Sequence, residues 1–62
     1  MKVQQNKVPA YYVSWVKNLT EKSLSDEKQN LQEAERIVKD DASQNLIRSK
    51  IKIIKEIENE RH

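Results

Sequence analysis

The chain predicts an all-α fold, a small three-helix bundle or a helical hairpin preceded by an N-terminal helix, and three observations carry that prediction. Glycine is absent and Pro9 is the sole proline among 62 residues, so the residues that most often break helices or form hairpin turns are nearly missing. Between Asp41 and Arg61, Leu46, Ile47, Ile51, Ile53, Ile54 and Ile57 fall on one broad arc at about 100° per residue. Gln44, Asn45, Arg48, Lys52, Lys55 and Asn59 lie opposite them. Serine and aspartate stand where helices would begin.

Residues 1–7 are polar and unpatterned and read as a flexible lead-in to a single helical domain over 8–62. Pro9 suits the first turn of a helix, where its missing N–H has no partner to lose. From it a helix is predicted over about 9–21, with Tyr12, Trp15, Val16 and Leu19 on one side and Ser14, Lys17, Asn18 and Glu21 on the other. Trp15 is expected in the core. The competing reading is a strand over 11–16, since Tyr11, Val13 and Trp15 alternate with Tyr12 and Ser14.

A second helix is predicted over about 25–39, with Ser23 and Ser25 as candidate caps and Asp26 and Glu27 in a first turn that favours negative charge. Its apolar stripe is thin: Leu31, Ala34 and Val38, with Leu24 entering and Ile37 on the flank. Glu35 and Lys39 have the spacing of an exposed i,i+4 pair.

The third helix is predicted over about 43–60. In one continuous helix, the apolar centre set by Leu24, Leu31, Val38 and Ala42 would turn by roughly 120° before the isoleucine arc begins, whereas a coiled-coil seam drifts only about 20° per heptad. The jump argues for a break. Asp40 and Asp41 support it, because paired acids suit the start of a helix and not its end. Asp41 is the expected cap, with Gln44 three positions on. The lack of glycine leaves a bent continuous helix as the alternative.

A chain of this length forms one domain and hides only about 60% of the surface its unfolded form exposes. Without cysteine it has no disulfide staple, and with His62 as the sole histidine it has no zinc-ligand set. Self-association or ordering on a partner is the expected prop. No apolar run approaches a membrane span and the N-terminus lacks a secretory core, so the chain reads as cytoplasmic. Its size and its Lys, Asn and Ile bias suit the compact stand-alone chains of bacteria and their phages. Net charge is +2. Residues 1–20 carry Lys2, Lys7 and Lys17 without an acid, whereas residues 21–42 are acidic and residues 43–62 basic.

No residue set reads as catalytic, and no cofactor, metal or small-molecule substrate is predicted. The expected function is a non-enzymatic regulatory or inhibitory protein that binds a protein partner, or a second copy of itself as a dimer, through the last helix. Lys50 interrupts the isoleucine arc and divides it into two rows. Leu46, Ile53 and Ile57 are expected to pack within the chain, and Ile47, Ile51 and Ile54 against a second one. Arg48, Lys52 and Lys55 would set the electrostatic choice of partner. The alternative is a small DNA-binding regulator using Gln44, Asn45, Arg48, Lys52 and Lys55, since amides read adenine, arginine reads guanine and lysine neutralises phosphate.

Overall fold

The computed structural model describes residues 8–61, so the predicted lead-in over residues 1–7 lies outside the described residues. Three helices follow in order: α1 (Ala10–Lys17), α2 (Glu21–Ile37) and α3 (Asp41–Glu60). Tyr11 to Trp15 are helical, which excludes the strand reading.

The first helix is shorter than its sequence pattern suggests. Pro9 is its N-cap, with extended backbone, and the chain leaves the helix at Asn18. The N–H groups of Asn18 and Leu19 donate to the carbonyls of Trp15 and Val16, the tightened i→i−3 bonds that close a helix end. Asn18 also donates its side-chain amide to the Ser14 carbonyl at 2.9 Å. Thr20, and neither Ser23 nor Ser25, begins α2: its hydroxyl accepts the Ser23 N–H at 3.1 Å. A threonine inside an apparently continuous apolar pattern did the work assigned to the serines.

The break between α2 and α3 is present. Val38 and Asp40 both have extended backbone, with ψ of 134° and 128°. The cap is Asp40 and not Asp41; its carboxylate accepts the Ser43 N–H at 2.9 Å. That bond, made to the ionised form, holds the Asp40 carboxyl below its ordinary range. Gln44 reaches back to donate to the Val38 carbonyl at 2.6 Å, so an acceptor released by the break finds a partner.

The pairs Arg48–Glu35 and Lys28–Glu58 link α3 to α2 in opposite chain directions, which defines an antiparallel hairpin. α1 lies along the other side of α3. Tyr12 meets Lys50, and Arg61 meets the carbonyls of Lys17 and Leu19, so α1 runs in the same direction as α3. The core sits where the three helices converge and consists of Val8, Tyr12, Val16, Leu24, Ile54 and Ile57, with Val13, Leu19, Leu31, Leu46 and Ile53 packed around it. Val16, Leu24 and Ile54 are the most enclosed, one from each helix.

Candidate protein-docking surface on the third helix

α3 has three kinds of side. Its isoleucine arc is wider than one neighbouring helix can cover, and both halves are used within the chain. Ile51, Ile54 and Ile57 are buried, while Leu46, Ile47 and Ile53 are partly covered. This corrects the division expected from the sequence. Ile54, assigned to a second chain, is fully enclosed by its own, and Ile51 is 7% exposed beside Glu35 of α2. Both therefore contribute to the subunit interior, and of that row Ile47 alone keeps intermediate exposure.

Lys50 does not divide two packing surfaces. It lies at the α1 edge with its ammonium 4.6 Å from the centroid of the Tyr12 ring, where the face of the ring attracts a cation. The stem covers apolar surface and the charge finds an aromatic face. The Tyr12 hydroxyl donates to Glu27 Oε2 at 2.7 Å. Burial, then that bond and the carboxylate charge, push the phenol well above its ordinary range. Glu27 thus ties α2 to α1, a role invisible at a position that also suits a helix first turn.

The open side of α3 carries Asn45, Arg48, Lys52, Lys55 and Asn59, all exposed. Arg48, Lys52 and Lys55 recur at i, i+4 and i+7, a cationic stripe about 10 Å long at 1.5 Å per residue. With Glu35 and Ile51 they line a shallow groove of about 320 Å³ between α2 and α3. Arg48 Nε donates to Glu35 Oε2 at 2.6 Å, so Glu35 serves α3 and not Lys39 as its spacing suggested. Among the described residues Lys52 and Lys55 form no ion pair. Of the five residues that would read DNA, Gln44 is spent on the α2–α3 break and Arg48 on Glu35, leaving Asn45, Lys52 and Lys55 unengaged.

Trp15 is the other departure from expectation. It is 50% exposed, and Tyr11 is 78% exposed. The inward side of α1 is defined by Val8, Tyr12 and Val16, which leaves Trp15 at its margin with its ring 5.6 Å from that of Tyr12 and tilted by 55°. The sequence signal for this was present: Tyr11 and Trp15 share a face at i,i+4 with Ser14 and Asn18. Arg61 was also missed. Its guanidinium donates to the carbonyls of Lys17 and Leu19 at 3.1 and 2.9 Å, joining the far end of the chain to the end of α1.

Among the described residues no helix is long and apolar enough to cross a membrane, and no three His, Cys, Asp or Glu side chains converge as a metal site. Compared with protein-family models, curated proteins and solved structures, the chain matches none.

Proposed function

We propose that this protein is a small, non-enzymatic regulatory or inhibitory protein of the cytoplasm that acts by binding another protein through the open side of α3. The observation that carries this reading is the cationic stripe Arg48, Lys52 and Lys55 bordering the groove floored by Ile51. A rim of charge around a small apolar floor supplies orientation and partner choice, with Ile47 extending the apolar contact. The engagement of Gln44 and Arg48 inside the chain weighs against the DNA-reading alternative. The partner is a different protein or a second copy of this chain.

The test uses the full chain and a Lys52→Glu/Lys55→Glu double variant, immobilised in parallel and exposed to lysate of the native host. Wild type is expected to retain a discrete partner at low salt, and the double variant to lose it by at least tenfold. Light scattering gives the mass that separates a foreign partner from a dimer. Equal retention by both forms rejects the stripe as the docking surface. Tight duplex binding by wild type with a steep negative salt slope transfers the function to DNA recognition.

A further inference from the structure

We infer that the α1–α2 corner is a hinge held bent by Arg61, and that when it straightens α1 joins α2 as one helix and docks on α3 of a second copy, which returns its own α1 in exchange. In an unbroken helix the carbonyls of Ser14 to Leu19 would accept the N–H groups of Asn18 to Ser23. The corner redirects them. Trp15 and Val16 accept the N–H groups of Asn18 and Leu19, and Ser14 accepts the Asn18 side-chain amide. The Lys17 and Leu19 carbonyls are met by Arg61, one nitrogen of which donates to both at 3.1 and 2.9 Å. The Ser23 N–H, which a straight helix would give to Leu19, goes to the Thr20 hydroxyl instead. The bent state thus depends on Arg61 and on the Thr20 cap, and the straight state needs neither.

Nothing in the sequence of the corner forbids straightening. From Ala10 to Ile37 the chain has neither glycine nor proline, and both Asn18 and Thr20 have ordinary negative φ. On one continuous helix Tyr12, Val16, Leu24 and Leu31 would lie within about 120° of arc, so its apolar side would be unbroken.

The occupant follows from what α1 leaves behind. Its departure uncovers Leu24, Ile54 and Ile57, which Val8, Tyr12 and Val16 cover in the bent state, and a second copy carries that same set of side chains. Tyr12 would again reach Glu27 and lie under Lys50, now between copies. Because α1 runs with α3 and α3 runs against α2, α1 returns antiparallel along α2. Two straightened chains therefore pair their long helices antiparallel, each holding the other's α1, which is a closed twofold exchange. The contacts that do not re-form are those of Arg61 with Lys17 and Leu19 and the Thr20 cap. Arg48, Lys52 and Lys55 take no part, so this inference and the docking side of α3 fail separately.

The test measures the mass of the full chain by sedimentation velocity across a concentration series, with circular dichroism as the check on folding. Arg61→Ala and, independently, Thr20→Ala should each raise the dimerisation constant by roughly tenfold or more, since each copy loses contacts that the bent state alone makes. Glu21→Pro acts the other way. Glu21 opens α2, a position that accommodates proline, and Thr20 before it already has the extended backbone, φ −66° and ψ 166°, that a residue preceding proline adopts. In the straight helix the same proline removes the bond to the Lys17 carbonyl and clashes with it, so dimerisation should weaken by at least about a hundredfold with monomer helicity unchanged. Added to Arg61→Ala, it should restore the monomer. The inference is overturned if Arg61→Ala and Thr20→Ala both remain monomeric at about 1 mM, or if the dimer persists in Glu21→Pro. A dimer that Glu21→Pro leaves intact and Lys52→Glu/Lys55→Glu abolishes would place the contact on the open side of α3.

Discussion

Ile54→Ala removes the side chain on which the three-helix arrangement converges, and its cost can be worked from burial. Ile54 is fully enclosed and belongs to the core cluster shared by α1, α2 and α3. Truncation deletes three buried carbons, about 0.8 kcal/mol each in transfer free energy, and leaves a cavity that adds to the loss. The sum is about 3–4 kcal/mol. A chain of 62 residues has a total stability of roughly 3–9 kcal/mol, so this single change removes a third or more of it. The thermal midpoint should fall by at least about 12 °C, since each kcal/mol corresponds to roughly 4–8 °C in a domain of this size. Urea unfolding followed by circular dichroism at 222 nm measures the difference, and Ile54→Val, with an expected cost of about 0.5–1.5 kcal/mol, keeps the series measurable if the alanine form does not fold. Ile37→Ala is the matched control: this isoleucine is 74% exposed, so its loss should change stability by no more than about 0.5 kcal/mol. An Ile54→Ala cost below about 1 kcal/mol, or an Ile37→Ala cost equal to it, would refute the three-way core.

Two further outcomes follow from groups whose proton affinity the fold alters. The Tyr12 phenol is raised by burial and by Glu27, so its folded-state value lies above its unfolded one. The associated stability is therefore complete below about pH 10 and declines as pH rises above it. Ultraviolet titration should show the Tyr12 phenol ionising only above the ordinary phenol range or with unfolding, and its ionisation within that ordinary range in the folded protein would contradict the Tyr12–Glu27 contact. Asp40 is shifted the other way by the Ser43 N–H; its contribution is present above the ordinary value of 3.8 and is lost as pH falls below that. Asp40→Ala should thus lower the melting temperature at neutral pH, with the gap to wild type narrowing towards pH 2. A constant gap across that range would mean that the carboxylate does not cap α3.

The order of elements was legible because it depends on local chemistry. Asp40 and Asp41 announced a helix start, and the phase jump between the Leu24–Ala42 stripe and the isoleucine arc announced the break. The end of α1 was hidden because Leu19 prolongs the apolar pattern through the turn, and Thr20 lies within that apparent continuity. The side chains of the cationic stripe could be placed opposite the isoleucines from spacing alone. That Gln44 and Arg48 are engaged within the chain could not, because Val38 and Glu35 become their neighbours only when α2 folds back.

By itself the sequence determined that this chain is helical and where its longest helix turns its apolar and cationic sides; it favoured a break between α2 and α3 but left a bent continuous helix as the alternative, which the extended backbone at Val38 and Asp40 removes. Tertiary structure alone decided that Ile51 and Ile54 are consumed internally, that Lys50 rests on Tyr12, and that Trp15 faces outward. The physical reason is that helical periodicity specifies the angles between side chains on one helix and says nothing of how many neighbours that helix has. An arc broad enough for two partners looks the same whether both are α1 and α2 or one is another molecule. Only the packing of Val16, Leu24 and Ile54 against one another settles the directions in which the remaining faces meet water.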